Sequence, residues 1–174
     1  MRIVLVGYMG SGKSTAGKKL ASHIGFSFLD IDHFIEEKYK ISIHDFFKKY
    51  GEDVFRKIES DVLKNTLIED NIVISTGGGT PCFKDNMNLI NKNSYSVYIK
   101  MNISSIENRL INSKKSRPLL KEISQENLNS FIEKQLLERE KYYNQAHLIV
   151  KGENLDLNYI IESFENFRKR VDNL

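Results

Sequence analysis

Gly7-Tyr8-Met9-Gly10-Ser11-Gly12-Lys13-Ser14 follows a short apolar run and precedes a segment with helical periodicity. The octapeptide fits the pattern G-x-x-x-x-G-K-[ST], in which a glycine-rich turn joins a strand to a helix. Its backbone N–H groups curl around phosphates, and the helix N-terminus adds the positive end of its dipole. We expect Lys13 to reach the β- and γ-phosphates and the Ser14 hydroxyl to ligate Mg²⁺. The predicted nucleotide-phosphate site comprises Gly10, Ser11, Gly12, Lys13, Ser14 and Thr15.

Short apolar segments alternate with helical segments along the rest of the chain. Strands are predicted at 3–6, 26–29, 72–76, 95–100 and 147–150, and helices at 13–23, 32–39, 43–50, 51–65, 84–91, 103–111, 125–143 and 157–171. This alternation predicts an α/β fold, a five-stranded parallel sheet with helices on both faces. We find no repeat or linker and expect a single domain over residues 1–174.

Composition excludes several classes of protein. The net charge is only +3, without a basic block, so we expect no nucleic-acid partner. No apolar run approaches the length of a membrane span, and the single cysteine, Cys82, fits a reducing compartment. These observations predict a cytoplasmic protein that acts on small molecules and has no membrane partner. We also expect a monomer, although composition does not bear on this.

The phosphate-binding motif at residues 7–14, a P-loop, is by itself compatible with several activities. A GTPase needs an N/T-K-x-D motif to read the base, and the sequence contains none. ATP-driven motors are usually larger than this chain of 174 residues. A small kinase and a regulatory nucleotide-binding module remain.

Arginine is scarce, because the chain has 19 lysines and only 7 arginines. Arg2 opens the first strand, and Arg168 and Arg170 lie in the last helix. Lysine cannot reproduce the planar fork with which arginine binds phosphate or carboxylate. Attention therefore falls on the remaining four: Arg56, Arg109, Arg117 and Arg139.

Two carboxylates mark the predicted end of the second strand. Residues i and i+2 of a strand point to the same side, so Asp30 and Asp32 are expected to face one site. Ligands of open α/β sheets gather at the carboxyl ends of the strands. The alternative is that Asp32 only caps the following helix.

Four further segments carry candidate side chains. Arg56 and Glu59 are three residues apart on a predicted helix, where a surface ion pair is the alternative. Gly77, Gly78 and Gly79 end a buried strand and allow a ligand to approach the backbone. Arg117 lies in a polar segment where a lid is expected, although a solvated basic loop has the same composition. Arg139 lies near the end of the long helix and, taken alone, indicates a surface salt bridge.

Together and in this order, these motifs resemble the shikimate kinase family over essentially the whole chain. The resemblance rests on the P-loop, the strand-end D-x-D, the G-E-x-x-F-R-x-x-E helix, the G-G-G turn, the R-P-L-L segment and the late arginine-plus-tyrosine helix. The late R-x-P of many members is absent, because Arg139 is followed by Glu140 and Lys141.

The resemblance implies transfer of a phosphoryl group from ATP to the 3-hydroxyl of shikimate, a step towards the aromatic amino acids, with Mg²⁺ as cofactor. It also implies a fold like that of nucleoside-monophosphate kinases, with a substrate-binding region at about 32–60 and a lid at about 112–124. The implied substrate-binding residues are Asp32, Arg56, Gly77, Gly78, Gly79 and Arg139, with Glu59 orienting Arg56. Asp30 and Ser14 are the implied metal ligands, and Arg109, Arg117 and Asn154 are expected to contact ATP. Lys13, Asp32 and Arg117 are the expected catalytic residues.

Two alternatives remain open at this point. One is another small-metabolite kinase of the same fold, acting on gluconate or a nucleotide. The other is a nucleotide-binding module without catalytic activity.

Overall fold

The computed structural model describes residues 1–113 and 125–173. The strands are β1 (Arg2–Val6), β2 (Ser27–Asp30), β3 (Ile72–Ser75), β4 (Tyr95–Lys100) and β5 (Leu148–Lys151). The helices are α1 (Lys13–Ile24), α2 (Ile31–Tyr39), α3 (Ile43–Tyr50), α4 (Glu52–Thr66), α5 (Asn86–Asn93), α6 (Ile103–Ile111), α7 (Gln125–Tyr143) and α8 (Leu157–Asp172). A short 3₁₀ helix covers Thr80–Cys82. No helix in the described ranges is both long and apolar enough to cross a membrane.

The five strands form one parallel sheet in the order β2-β3-β1-β4-β5. Strand β1 lies in the centre, and Ile3, Val4, Leu5 and Val6 are wholly buried because helices cover both faces. The carboxyl ends of β1, β2 and β3 are level, since Ser75 pairs with both Leu5 and Asp30. The P-loop, the carboxylates and the glycine turn therefore leave the sheet at the same edge.

Alternate residues of β1 supply the two cores. Ile3 and Leu5 pack on the face that α1 and α8 cover, with Leu20 and Phe164 at the centre of that core. The other face carries the larger core, to which helices α2 to α7 contribute. Period-two alternation in a strand that is apolar throughout thus builds a layer on each side.

The predicted fold class is confirmed, and the differences lie at the ends of elements. Strand β2 extends to Asp30 and α2 begins at Ile31, so the chain turns into the helix directly from the strand. The 3₁₀ turn at Thr80–Cys82 was not predicted; Pro81 lies within it, where its fixed φ is compatible with a helical turn. The predicted lid, residues 112–124, falls largely outside the described residues, and Arg117 lies wholly outside them.

Candidate active site

The P-loop wraps around the ammonium group of Lys13. Gly12 caps α1 with φ at 95°, a left-handed conformation that glycine adopts without steric cost. The Lys13 Nζ donates to the carbonyl oxygens of Gly7 at 2.8 Å and Tyr8 at 2.9 Å. The side chain is therefore held inside the loop and is only 7% exposed.

Ser11 carries a polar atom that the described residues do not satisfy. Its hydroxyl oxygen is buried and has no hydrogen-bond partner among them. Buried hydroxyls are nearly always paired, so an unpaired one calls for an explanation. A phosphate oxygen in the loop would supply that partner.

Asp30 is the N-cap of α2 and also contacts the P-loop helix. Its Oδ1 accepts from the backbone N–H of His33 at 3.1 Å, and its Oδ2 accepts from the Ser14 hydroxyl at 2.5 Å. The alternative that Asp32 caps this helix is therefore wrong. Asp32 lies in the first turn of α2, so the expectation that both carboxylates project from a strand is also wrong.

Asp32 nevertheless lies among the charges of the site. Burial raises the pKa of its carboxyl to about 7, and the carboxylates of Glu59 and Asp30 act in the same direction. The cations Lys13 and Arg56 act in the opposite direction. Asp32 thus feels the P-loop lysine and the arginine of α4 at once.

Arg56 is held by two acids of its own helix. Its Nε and Nη2 donate to Glu52 at 3.1 and 2.8 Å, and its Nη1 donates to Glu59 at 2.7 Å. Glu59 is wholly buried, so the surface ion pair considered for this helix is not what the structure contains. The rings of Phe47 and Phe55 lie 5.6 and 5.5 Å from the guanidinium carbon. The orientation of the fork is therefore fixed from several sides.

The glycine turn is packed against these side chains. A methyl group on Gly77 would lie 2.5 Å from Glu59 Oε1 and 2.6 Å from Asp32 Oδ1. One on Gly79 would overlap the guanidinium of Arg56. Glycine is needed here because any larger residue would displace the charged groups.

Arg139 faces the same turn from α7. A Cβ on Gly78 would lie 3.4 Å from its Nη1, and its guanidinium carbon lies 5.5 Å from the centre of the Tyr8 ring. The Tyr143 hydroxyl, on the same helix as Arg139, donates to the Gly78 carbonyl at 2.5 Å. No carboxylate of the described residues lies within ion-pair distance of Arg139, so that part of the chain gives no support to the surface salt bridge indicated for it.

Arg109 joins the P-loop to the segment after β5. Its guanidinium donates to the carbonyls of Gly10 and Ser11, at 3.3 and 3.4 Å, and to that of Gly152 at 3.4 Å. Asn154 is exposed two residues beyond Gly152 and lines a cleft with Lys151 and neighbouring residues. Arg109 and Asn154 thus lie on the side of the P-loop away from Asp32, Arg56 and Arg139.

Sequence reasoning missed several residues that hold the site together. Tyr8 occupies a variable position of the P-loop motif, yet its ring lies under Arg139 and its hydroxyl donates to Gln135 at 2.9 Å. Thr80 follows the glycines and donates to Glu59. In the sequence, these residues stand out only because they lie next to the motifs. Adjacency in sequence does not show whether a side chain contacts the site.

The raised pKa of Asp32 predicts a pH dependence of stability. Between its ordinary value of 3.8 and about 7, the folded protein holds more protons than the unfolded chain. The stability that the folded protein gains from holding this proton on Asp32 is fully present below pH 3.8 and is lost as the pH rises through about 7. Between pH 4.5 and 7.5 we expect the free energy of unfolding of the parent to fall, relative to Asp32→Asn, by at least about 1 kcal/mol. Urea unfolding at a series of pH values measures this, and parallel curves would contradict the assignment.

Two sequence comparisons with known proteins give the same family. The family model described as shikimate kinase matches residues 9–169. The chain is 47% identical over 163 residues to a shikimate kinase from Azobacteroides pseudotrichonymphae, covering 93% of this chain and 96% of that one.

Solved structures give the same result. Shikimate kinase from Bacteroides thetaiotaomicron superposes with a TM-score of 0.85 at 35% identity, covering 99% of this chain and 98% of that one. The enzyme from Acinetobacter baumannii, solved in complex with shikimate, has a TM-score of 0.81 at 31% identity, over 99% of this chain and 93% of that one. A gluconokinase from Sinorhizobium meliloti, at 16% identity and a TM-score of 0.61, shares the fold alone; 99% of this chain and 94% of that one are covered.

Proposed function

The chain belongs to the shikimate kinase family, and from this membership we propose how its residues carry out the ATP-dependent phosphorylation of shikimate. The reaction yields shikimate phosphate and ADP as a step of aromatic amino-acid biosynthesis, and we assign the transfer to the 3-hydroxyl. One observation carries the assignment: Asp32 lies within electrostatic reach of both Lys13 in the P-loop and Arg56 on α4. A carboxylate near both a phosphate site and an arginine suits an acceptor that carries a hydroxyl group and a carboxylate. Asp32 would meet the hydroxyl, and Arg56 the carboxylate.

We propose that the P-loop holds the triphosphate of ATP. The Ser11 hydroxyl, which has no partner among the residues that the structure describes, and the backbone N–H groups of the loop donate to phosphate oxygens. Lys13 stabilises the charge that develops on the γ-phosphoryl group. Arg109 and Asn154 lie towards the adenine side. Arg117 is proposed as the lid arginine and lies outside the described residues.

The residues next to the P-loop fit Mg²⁺. Ser14 Oγ and Asp30 Oδ2 are adjacent oxygen atoms, and Mg²⁺ prefers oxygen ligands, retaining waters and phosphate oxygens in its shell. Asp30 has only Oδ2 to offer, because Oδ1 caps α2. When bound there, Mg²⁺ would neutralise phosphate charge during the transfer. We propose Ser14 as a direct ligand and Asp30 as a ligand through water.

We propose that the acceptor lies over the glycine turn. Arg56 and Arg139 flank Gly77, Gly78 and Gly79, and their forks suit the two oxygens of a carboxylate. Asp32 then accepts a hydrogen bond from the attacking hydroxyl, which orients it towards the γ-phosphorus. Because phosphoryl transfer has a largely dissociative transition state, positioning contributes more than proton abstraction.

We further propose that residues 1–174 act as one kinase domain, in which α2 to α4 form the substrate-binding region. The sequence has a single cysteine, Cys82, and therefore no intramolecular disulfide, which suits a protein of the reducing cytoplasm.

A coupled assay of ADP release tests the function. Shikimate, gluconate and nucleoside monophosphates are offered in turn with ATP and Mg²⁺, and we expect rapid turnover with shikimate alone. Phosphate placed on the 3-hydroxyl, determined by NMR of the product, tests the regiochemistry. Turnover that favours gluconate or a nucleotide would overturn the proposal.

The fork of Arg56 gives a separate prediction. Arg56→Lys keeps the positive charge but cannot make a two-pronged contact with a carboxylate. We expect the KM for shikimate to rise by about tenfold or more while the KM for ATP changes little. Steady-state kinetics with each substrate varied in turn measure this, and an equal rise in both KM values would indicate a structural role.

A further inference from the structure

A chain of buried polar side chains runs beneath the glycine turn. It links α4, the 3₁₀ turn at Thr80–Cys82 and α5. Glu59 and Thr80 are wholly buried, and Asn86 and Ser60 are 3% and 5% exposed. Polar groups removed from water to this degree are costly unless they are paired, and here each of them is.

The hydrogen bonds of this chain form a closed circuit. The Ser60 hydroxyl donates to Asn86 Oδ1 at 2.8 Å, and Asn86 Nδ2 donates to the Thr80 carbonyl at 2.8 Å. The Thr80 hydroxyl then donates to Glu59 Oε1 at 2.5 Å. Glu59 and Ser60 are consecutive residues of α4, so the circuit closes on that helix.

The circuit determines the direction in which Glu59 presents its second oxygen. Because Oε1 accepts from Thr80, the plane of the carboxyl group is fixed, and Oε2 accepts from Arg56 Nη1 at 2.7 Å. The terminal torsion of a glutamate is otherwise broad, so one oxygen must be held for the other to be directional. The Glu59 side of the Arg56 contact therefore depends on a hydroxyl that does not itself contact Arg56, while Glu52 holds the other side.

We propose that Thr80 is a positioning residue for the acceptor site: its hydroxyl fixes the Glu59 carboxylate and, through it, the fork of Arg56. Its kinetic consequence rests on the proposed function, because Arg56 is the group assigned to the carboxylate of shikimate. The orienting effect on Arg56 belongs to the protein alone and is measurable without any substrate.

The test uses three variants with matched chemistry. Thr80→Val replaces the hydroxyl with a methyl group of nearly the same volume, and Thr80→Ser retains the hydroxyl. Thr66→Val is the control and lies on α4, the helix that carries Arg56 and Glu59. Thr66 is 5% exposed, and its hydroxyl donates to the Val62 carbonyl at 2.8 Å. That bond lies far along α4 from Arg56 and has no link to Glu59.

We expect Thr80→Val to raise the KM for shikimate about tenfold while leaving the KM for ATP nearly unchanged. Thr80→Ser restores the parent value to within about threefold, since it supplies the same donor. Thr66→Val lowers the melting temperature without changing either KM. A Thr80→Val enzyme with parental KM for shikimate, or with both KM values raised alike, would overturn the proposal.

A second readout separates this proposal from the assigned reaction. In ¹⁵N spectra of the substrate-free protein, the Arg56 Nε–Hε signal is assigned by its loss in Arg56→Lys. We expect its order parameter to fall in Thr80→Val and to stay at the parental value in Thr80→Ser and Thr66→Val. If the parent did not phosphorylate shikimate, the proposed function would fail while this measurement still decided the positioning role. An unchanged order parameter in Thr80→Val would refute that role.

Discussion

Lys13→Met is expected to reduce kcat with shikimate at least about 100-fold, the effect of removing one preorganised donor from a charged transition state. Methionine has a similar length and packs in the same space, but it carries no charge. Lys13 makes its strongest contacts as negative charge moves during the transfer, so the loss falls mainly on the chemical step. Weaker binding of ATP accounts for a smaller part.

The P-loop helix offers a matched control for this variant. Lys19 is exposed on α1, the helix that begins at Lys13, and Lys19→Met makes the same chemical change outside the loop. We expect the control to keep parental kinetics. Circular dichroism and urea unfolding establish that Lys13→Met is folded, and single-turnover kinetics separate binding from transfer. A folded Lys13→Met enzyme with turnover within about tenfold of the parent would contradict the assignment of Lys13.

The fold could be predicted because its signals are local. A P-loop motif specifies a strand, a turn and a helix within twenty residues, and strands buried on both faces are apolar throughout their length. Residues 3–6 show this directly, since all four are wholly buried in the structure. The order of the five strands, by contrast, depends on contacts between distant segments and was left unstated.

The position of Asp32 shows where local reasoning fails. The helix begins at Ile31, one residue earlier than predicted, which makes Asp30 its cap and places Asp32 within its first turn. The D-x-D spacing is the same whether the two residues end a strand or begin a helix. Residues i and i+2 share a face only in a strand, so the spacing alone does not give the direction of the two side chains. In the structure the two carboxylates still interact electrostatically, with Asp30 at the helix cap and Asp32 in the first helical turn.

Contacts between distant segments account for the rest of what was missed. Tyr8 lies in the first loop and Arg139 near the end of α7, and the cation–π contact between them joins the phosphate site to the acceptor site. Thr80 acts on Arg56 only through Glu59. A single sequence carries no information on which of its residues meet in space, so these roles became visible only in the structure.

The carboxylates of Asp30 and Asp32 are expected to respond differently to the same change. Asp32→Asn is nearly isosteric but presents an amide donor in place of one carboxylate oxygen and cannot take up a proton. We expect turnover of shikimate to fall at least about 100-fold at any Mg²⁺ concentration, the loss that misorientation of the attacking group typically causes. Binding of ATP should remain close to that of the parent. Steady-state kinetics and ATP titration by fluorescence measure the two quantities.

Asp30→Asn is the matched control, because it makes the same substitution two residues earlier. Asparagine caps a helix about as well as aspartate, so α2 should keep its stability. The amide is a weaker ligand for Mg²⁺, so the Mg²⁺ concentration needed for half-maximal rate should rise, with turnover recovering at saturation. Asp32→Asn removes a carboxyl that Glu59 and Asp30 repel, so this variant should be at least as stable as the parent above pH 7. Equal losses in both variants at saturating Mg²⁺ would contradict the separate roles assigned to Asp30 and Asp32. A destabilised Asp32→Asn protein would mean that Asp32 supports the fold rather than the reaction.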